Sequence, residues 1–257
     1  MDIHKPKAAH SWREFLIEIG TIICGILIAL GLEQLVSNLE WGRKVAETRE
    51  ALGLEVGDNL AKLEIRVALS NCIGQRLDAL ALIVDRASRT GSLPALAAPS
   101  PPGNRSWSTG VWSSALSAQS ASHLSAEQLR GYSRVYQIIE RISDLEPKEE
   151  AAWTTLFELA GPGRPFDAED ARTYRRAIGQ AREMNGLMSG FGVRAKQAVD
   201  GYRIPYDAKI FAEKTTLLKS AHLTAAECGP PTGAPPTTYG AAPDAQFPDE
   251  AMRNPRK

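Results

Sequence analysis

Three thiols, four imidazoles and two carboxylates at the edges of an apolar run are the side chains of this sequence with chemistry to offer. The cysteines are Cys24, Cys72 and Cys228. Three are too few for a disulfide framework, and no C-x-x-C spacing suggests a metal or redox motif. In an oxidising compartment Cys72 and Cys228 can pair, and on chain-entropy grounds a bridge closing so long a loop adds about 4–5 kcal/mol. The alternative is two free thiols, one on a helix face and one at a frayed end. The histidines are His4, His10, His123 and His222. None has a partner at ligand spacing, so a metal site would need donors assembled from distant segments. His123 stands just ahead of a helix cap and reads as a surface residue. No P-loop, G-x-S-x-G or H-E-x-x-H is present. The sequence therefore predicts no catalytic residue, no metal and no cofactor, and the chain is not expected to be an enzyme.

The carboxylates are Glu18 and Glu33, both within the outer turns of Phe15–Val36, FLIEIGTIICGILIALGLEQLV, and close enough to the headgroups to reach water. An intramembrane carboxylate can carry a proton or pair with a base. Glu18 also lies within one turn of Phe15, at the positive end of the helix dipole, where an acid is favoured without further function. The uncharged run Ile19–Leu32 is short for a span of about 20 residues, and extension to Phe15 and Val36 reaches that length. Trp12 and Trp41 bracket it at roughly 44 Å, close to the thickness of a bilayer with its headgroups. A buried helix would show a polar face, and a cleaved signal peptide would show a small-residue cleavage site. Neither is present, so 15–36 is expected to be an uncleaved transmembrane helix. Lys5, Lys7 and Arg13 in the short segment 1–14 outweigh Arg43 and Lys44, which are diluted by Glu33, Glu40 and Glu47. Positive charge on the near side places the N-terminus in the cytoplasm. Within the span Gly20, Cys24, Leu27 and Gly31 recur at helical spacing, with Gly25 and Ala29 beside them. Small residues let helix backbones approach in lipid, so this face is a candidate for self-association.

The element that carries the span onward is a long amphipathic helix. No proline intervenes between Pro6 and Pro94. Val45, Leu52, Val56, Leu60, Leu63, Val67, Ile73, Leu77, Leu80 and Val84 make one apolar stripe. Glu47, Arg49, Glu50, Glu64, Arg66, Arg76, Asp78, Asp85 and Arg86 read as its solvated face. Gly53 and Gly57 are points where it could bend. Ser70 and Gly74 interrupt any coiled-coil seam, which favours packing within a bundle. A proline-rich loop, 90–106, ends the helix and either runs free or wraps the bundle. Helical segments follow at Trp107–Ser120, from a Ser125/Gln128 capping box, after a break at Ser143–Glu146 forced by Pro147, from the Asp167 cap, and at Asp207–His222. Residues 37–228 form the bundle domain, and 229–257, rich in proline, are expected to be disordered. The predicted class is all-α, an antiparallel helical bundle behind one membrane helix.

Composition narrows the partners. The 257 residues carry 30 basic and 30 acidic side chains, and only 7% are aromatic. Nucleic-acid binding calls for a basic excess and stacking platforms, and neither is present. The arginines Arg172, Arg175, Arg176, Arg182 and Arg194 read as a solvated helix face, with an acidic partner or lipid surface as the alternative.

Over Phe15–Leu32 the text resembles a bacterial family of unknown function that opens with an E-[IL]-x-x-[IV]-x-x-G-[IV]-L-I-A-L membrane segment. Glu18, Gly25, Leu27, Ile28, Ala29 and Leu30 carry the likeness. It implies a membrane-anchored helical protein and transfers no activity. Taken with the charge count at the ends of the span, the expected location is the bacterial inner membrane, with most of the chain in the periplasm. The expected partners are membrane lipid and either another protein or a second copy. The expected role is an envelope interaction or scaffold protein, with a ligand-sensing module acting through a partner as the alternative.

Overall fold

A computed structural model describes residues 12–99, 101–103 and 106–222 of the chain. Its first helix, α1 (Trp12–Thr90), runs unbroken for 79 residues, roughly 118 Å at the standard rise. It has two lives. No residue between 12 and 44 is buried, and the apolar window near the N-terminus is 0% buried. This is a helix long and apolar enough to cross a membrane. From Val45 onward the same helix supplies the core, with Leu52, Val56, Leu60, Leu77 and Val84 buried. Ala61, Ile65 and Leu69 join them, a wider buried arc than one stripe, because α1 is packed on several sides. Gly91, at φ +72°, takes the left-handed turn that stops the helix.

The loop does not run free. Leu93 and Leu96 are buried at the far tip. There the two-residue strand β1 (Ser92–Leu93) pairs antiparallel with β2 (Arg164–Pro165), strands too short to read from sequence. The chain then descends beside α1 to α2 (Gly110–Ser117) and a 3-10 turn (Ser120–His123). The single segment expected over Trp107–Ser120 is thus shorter and ends before a separate turn.

Three helices complete the bundle: α3 (Ala126–Phe157), α4 (Ala168–Gly201) and α5 (Ala208–His222). Both sequence caps are present. The Ser125 hydroxyl accepts from the Gln128 N–H while the Gln128 side chain accepts from the Ser125 N–H. Asp167 and Asp170 make the same reciprocal box, and the two backbone donors hold the Asp167 carboxyl below the usual carboxylate range. The break at Ser143–Glu146 does not occur: α3 passes through Pro147. A proline in a helix interior costs about 3 kcal/mol. Ile138, Ile139 and Ile142 before it and Ala152, Trp153 and Leu156 after it are all buried, and that packing outweighs the lost hydrogen bond.

Contacts give the directions. Arg175 meets Asp85 and Arg182 meets Asp78, while Gly192 lies against Leu63 and Val67, so α4 runs antiparallel to α1. Tyr136 meets Glu55 and Glu149 meets Arg66, so α3 runs with α1, as the returning loop allows. Gly53 and Gly57 are not bends but admission points for the 205–207 crossing. The Asp207 N–H donates to the Gly53 carbonyl at 2.9 Å, and a Cβ on Gly57 would stand 2.9 Å from the Asp207 carbonyl oxygen.

Candidate functional site

Polar residues of α1 at spacings of four, three and four, Glu55, Asn59, Lys62 and Arg66, form one seam along the helix. Such spacing puts them on one face, and each of them reaches another part of the molecule. Glu55, buried, accepts from the backbone N–H groups of Val111 at 2.9 Å and Trp112 at 3.3 Å. A carboxylate there complements the positive start of α2. The Tyr136 hydroxyl donates to the same carboxylate at 2.6 Å. Burial, and that bond to Glu55, push the Tyr136 phenol well above its usual range.

One turn on, Asn59 clamps Ser108. Its Nδ2 donates to the Ser108 carbonyl at 2.6 Å and its Oδ1 accepts from the Ser108 N–H at 3.0 Å. The Lys62 ammonium donates to the Ser106 carbonyl at 2.5 Å and pairs with Asp58 at 2.6 Å. Asn59 and Lys62 thus tie the strap, the segment that descends from β1 to α2, to α1.

Arg66 closes the seam inside the bundle. Only 1% of it is exposed, a correction to its place on the solvated face. Nη2 donates to Glu149 Oε1 at 2.6 Å and Nη1 to Asn185 Oδ1 at 2.9 Å, while Asn185 Nδ2 donates to the Ser70 carbonyl at 2.9 Å. Arg76 is likewise buried, because α3 and α4 cover the side of α1 that sequence left to solvent. Burial pulls the Arg66 guanidinium below its ordinary value, and Glu149 and Glu146 oppose that pull. A cleft of about 150 Å³ lined by Glu146, Glu149, Glu150, Trp153 and Pro101–Gly103 lies beside this pair. Chemically the seam is a set of hydrogen bonds, charge-assisted at Glu55, Lys62 and Arg66 and neutral at Asn59, that locks α1, α2, α3, α4 and the strap together. Among the described residues, no group of three or more His, Cys, Asp or Glu side chains is placed to hold a metal ion.

The residues singled out by sequence fall in three places. A Cβ added at Gly20, Gly25 or Gly31 would meet nothing within 4 Å among the described residues. With Cys24 and Ala29 these glycines lie on the exposed apolar length of α1, where Cys24 is a free thiol. Cys72 is buried in the cluster that includes Leu69, Ile73 and Leu77. Its proposed partner Cys228, like His4, His10 and the tail 229–257, lies outside the described residues. Of the arginines on α4, Arg175 and Arg182 are tied to Asp85 and Asp78 at 2.8 and 2.6 Å. His123 is exposed at the surface, and its ring stacks on Trp41 at 4.2 Å.

Among the described residues, fold and seam together define an all-helical protein with one exposed apolar helix segment of membrane-spanning length. Comparison of the chain with protein-family models, with curated proteins and with solved structures gives no match.

Proposed function

We propose that the chain is a membrane-anchored scaffold of the bacterial envelope whose helical bundle engages another component, with α1 serving as both anchor and core. The observation that carries this is the continuity of α1 from a bare apolar length into the buried centre of the bundle. A free tether would need no such continuity, whereas a scaffold needs its binding body held at a fixed attitude to the membrane. The basic residues before the span support a cytoplasmic N-terminus and a periplasmic bundle, and in that compartment Cys72 would pair with Cys228. Self-association through Gly20, Cys24, Gly25, Ala29 and Gly31 belongs to the same reading. A sensing role through a partner draws on the same helix, because a displacement at the Arg66 cluster would be passed rigidly toward the span.

Photoreactive residues placed one at a time on the bundle surface test the scaffold in native membranes. The proposal expects a discrete adduct, with one protein or a second copy, from neighbouring positions on one face. Adducts that are absent or scattered over all faces would contradict it. The same membranes, denatured without reductant, report one reactive thiol if the periplasmic pairing is right and three if it is not.

A further inference from the structure

The base of the bundle holds a cleft that scaffolding does not require. Trp41 lies five residues beyond Val36, about 7.5 Å along the helix. That is the depth of the headgroup layer, which adds roughly 5–7 Å on each side of the hydrocarbon. The Trp41 ring does not simply rest in lipid. His123, delivered by the 3-10 turn some eighty residues later, stacks on it with centroids 4.2 Å apart and 22° between planes. The Lys44 ammonium lies 5.0 Å from the same ring centroid. The stack walls a cleft of about 290 Å³ lined by Asn38, Trp41, Gly42, Val45, Arg49 and His123.

Among the described residues the lining carries donors and no carboxylate. Glu47, on the same helix, is paired with Arg43 at 3.8 Å across one turn. Arg49 gives a long 3.4 Å bond to Gln128, and its side chain is exposed. Helical side chains lean toward the N-terminus, which aims Lys44 and Arg49 back at the end of the apolar segment. Trp41 is already covered by an imidazole and an ammonium, so it cannot cage the quaternary ammonium of a zwitterionic headgroup.

We infer that this cleft binds the phosphate-bearing headgroup of an anionic phospholipid, with Arg49 and His123 of the lining as donors, the Trp41–His123 stack as its wall, and the Lys44 ammonium beside it on the Trp41 ring. The inference rests on the membrane-anchor reading. Its consequence is that the bundle is seated on the bilayer at a second point, His123, rather than held by α1 alone.

Native mass spectrometry of the full chain in mild detergent, with phosphatidylglycerol and phosphatidylcholine at equal concentration, tests it. Phosphatidylglycerol adducts should survive collision energies that strip phosphatidylcholine. A Lys44→Gln/Arg49→Gln variant should lose about thirtyfold of that retention, as two basic residues near an anionic lipid surface imply, with its helical circular dichroism unchanged. Equal retention of the two lipids by the wild-type chain, or undiminished retention by the variant, overturns the inference. Displacement of the lipid by millimolar inorganic phosphate also overturns it, in favour of a small-anion site. Alkaline carbonate washing of native membranes separates the two levels. A chain that stays in the membrane but shows no lipid preference sinks the cleft alone, and a chain that washes off sinks the anchor beneath it.

Discussion

Arg66 and Glu149 are the residues on which the interior turns. Both are buried and they meet at 2.6 Å, so removing one leaves an uncompensated charge in the core, a loss of about 3–5 kcal/mol. Glu149→Ala should therefore unfold at markedly lower urea concentration than the parent chain. The Arg66→Met/Glu149→Leu pair should recover most of the loss, because a filled apolar site carries no stranded charge. Far-UV circular dichroism through a urea series reads both, and a single variant within about 1 kcal/mol of the parent would show the pair to be exposed in solution. Charge alternation along α1, taken residue by residue, puts Arg66 on the solvated face. The spacing of Glu55, Asn59, Lys62 and Arg66 is a readable signal of a second, polar stripe, and only their partners are out of reach. The partners on other elements lie between 44 and 122 residues away, a distance no local pattern reports. Cys72 is the intermediate case: its helix face was legible and its burial was not.

At the scale of elements, local chemistry was legible where a side chain meets its own backbone. The Ser125 and Asp167 boxes are of that kind. Elements whose fate depends on packing were not, and Pro147 shows why: the rule for an isolated helix is right and the cores on either side override it. The glycines of α1 make the same point with a sign attached. A Cβ on Gly57 would meet the Asp207 carbonyl oxygen at 2.9 Å, whereas one on Gly74 meets nothing within 4 Å. Gly57→Ala should therefore destabilise the chain and loosen α5, and Gly74→Ala should stabilise it by about 0.5–1 kcal/mol through helix propensity alone. Hydrogen exchange over 208–222 with parallel urea unfolding checks both. Equal effects of the two substitutions would mean that the 205–207 crossing does not rest on α1 in solution.

Over the whole molecule, one helix joins two environments. Among the described residues the apolar half of α1 is left bare, and the other half has helices on several sides. The all-α class and the passage of the span into a long helix were legible because both follow from hydropathy and the lack of proline. The returning strap was not, because a loop's path is fixed by distant anchors such as Asn59 and Lys62 rather than by its own residues. That strap lets α3 run in the same direction as α1 and brings His123 down to Trp41 at the base of the bundle. The molecule is thereby built as a body fixed on a rod, and the proposed scaffold role rests on that geometry.

The central claim is that α1 crosses the bilayer and enters the bundle without a break. Spin labels introduced singly along α1, on a Cys24→Ser background in bilayers, measure it through collisions with oxygen and with a water-soluble nickel chelate. Labels at Ile22 and Ile28 should collide with oxygen and not with nickel. A label at Leu82, 72% exposed on the bundle surface, should collide freely with nickel, and one at Leu60, 3% exposed, with neither. Nickel access at Ile22 and Ile28 equal to that at Leu82 would contradict the account.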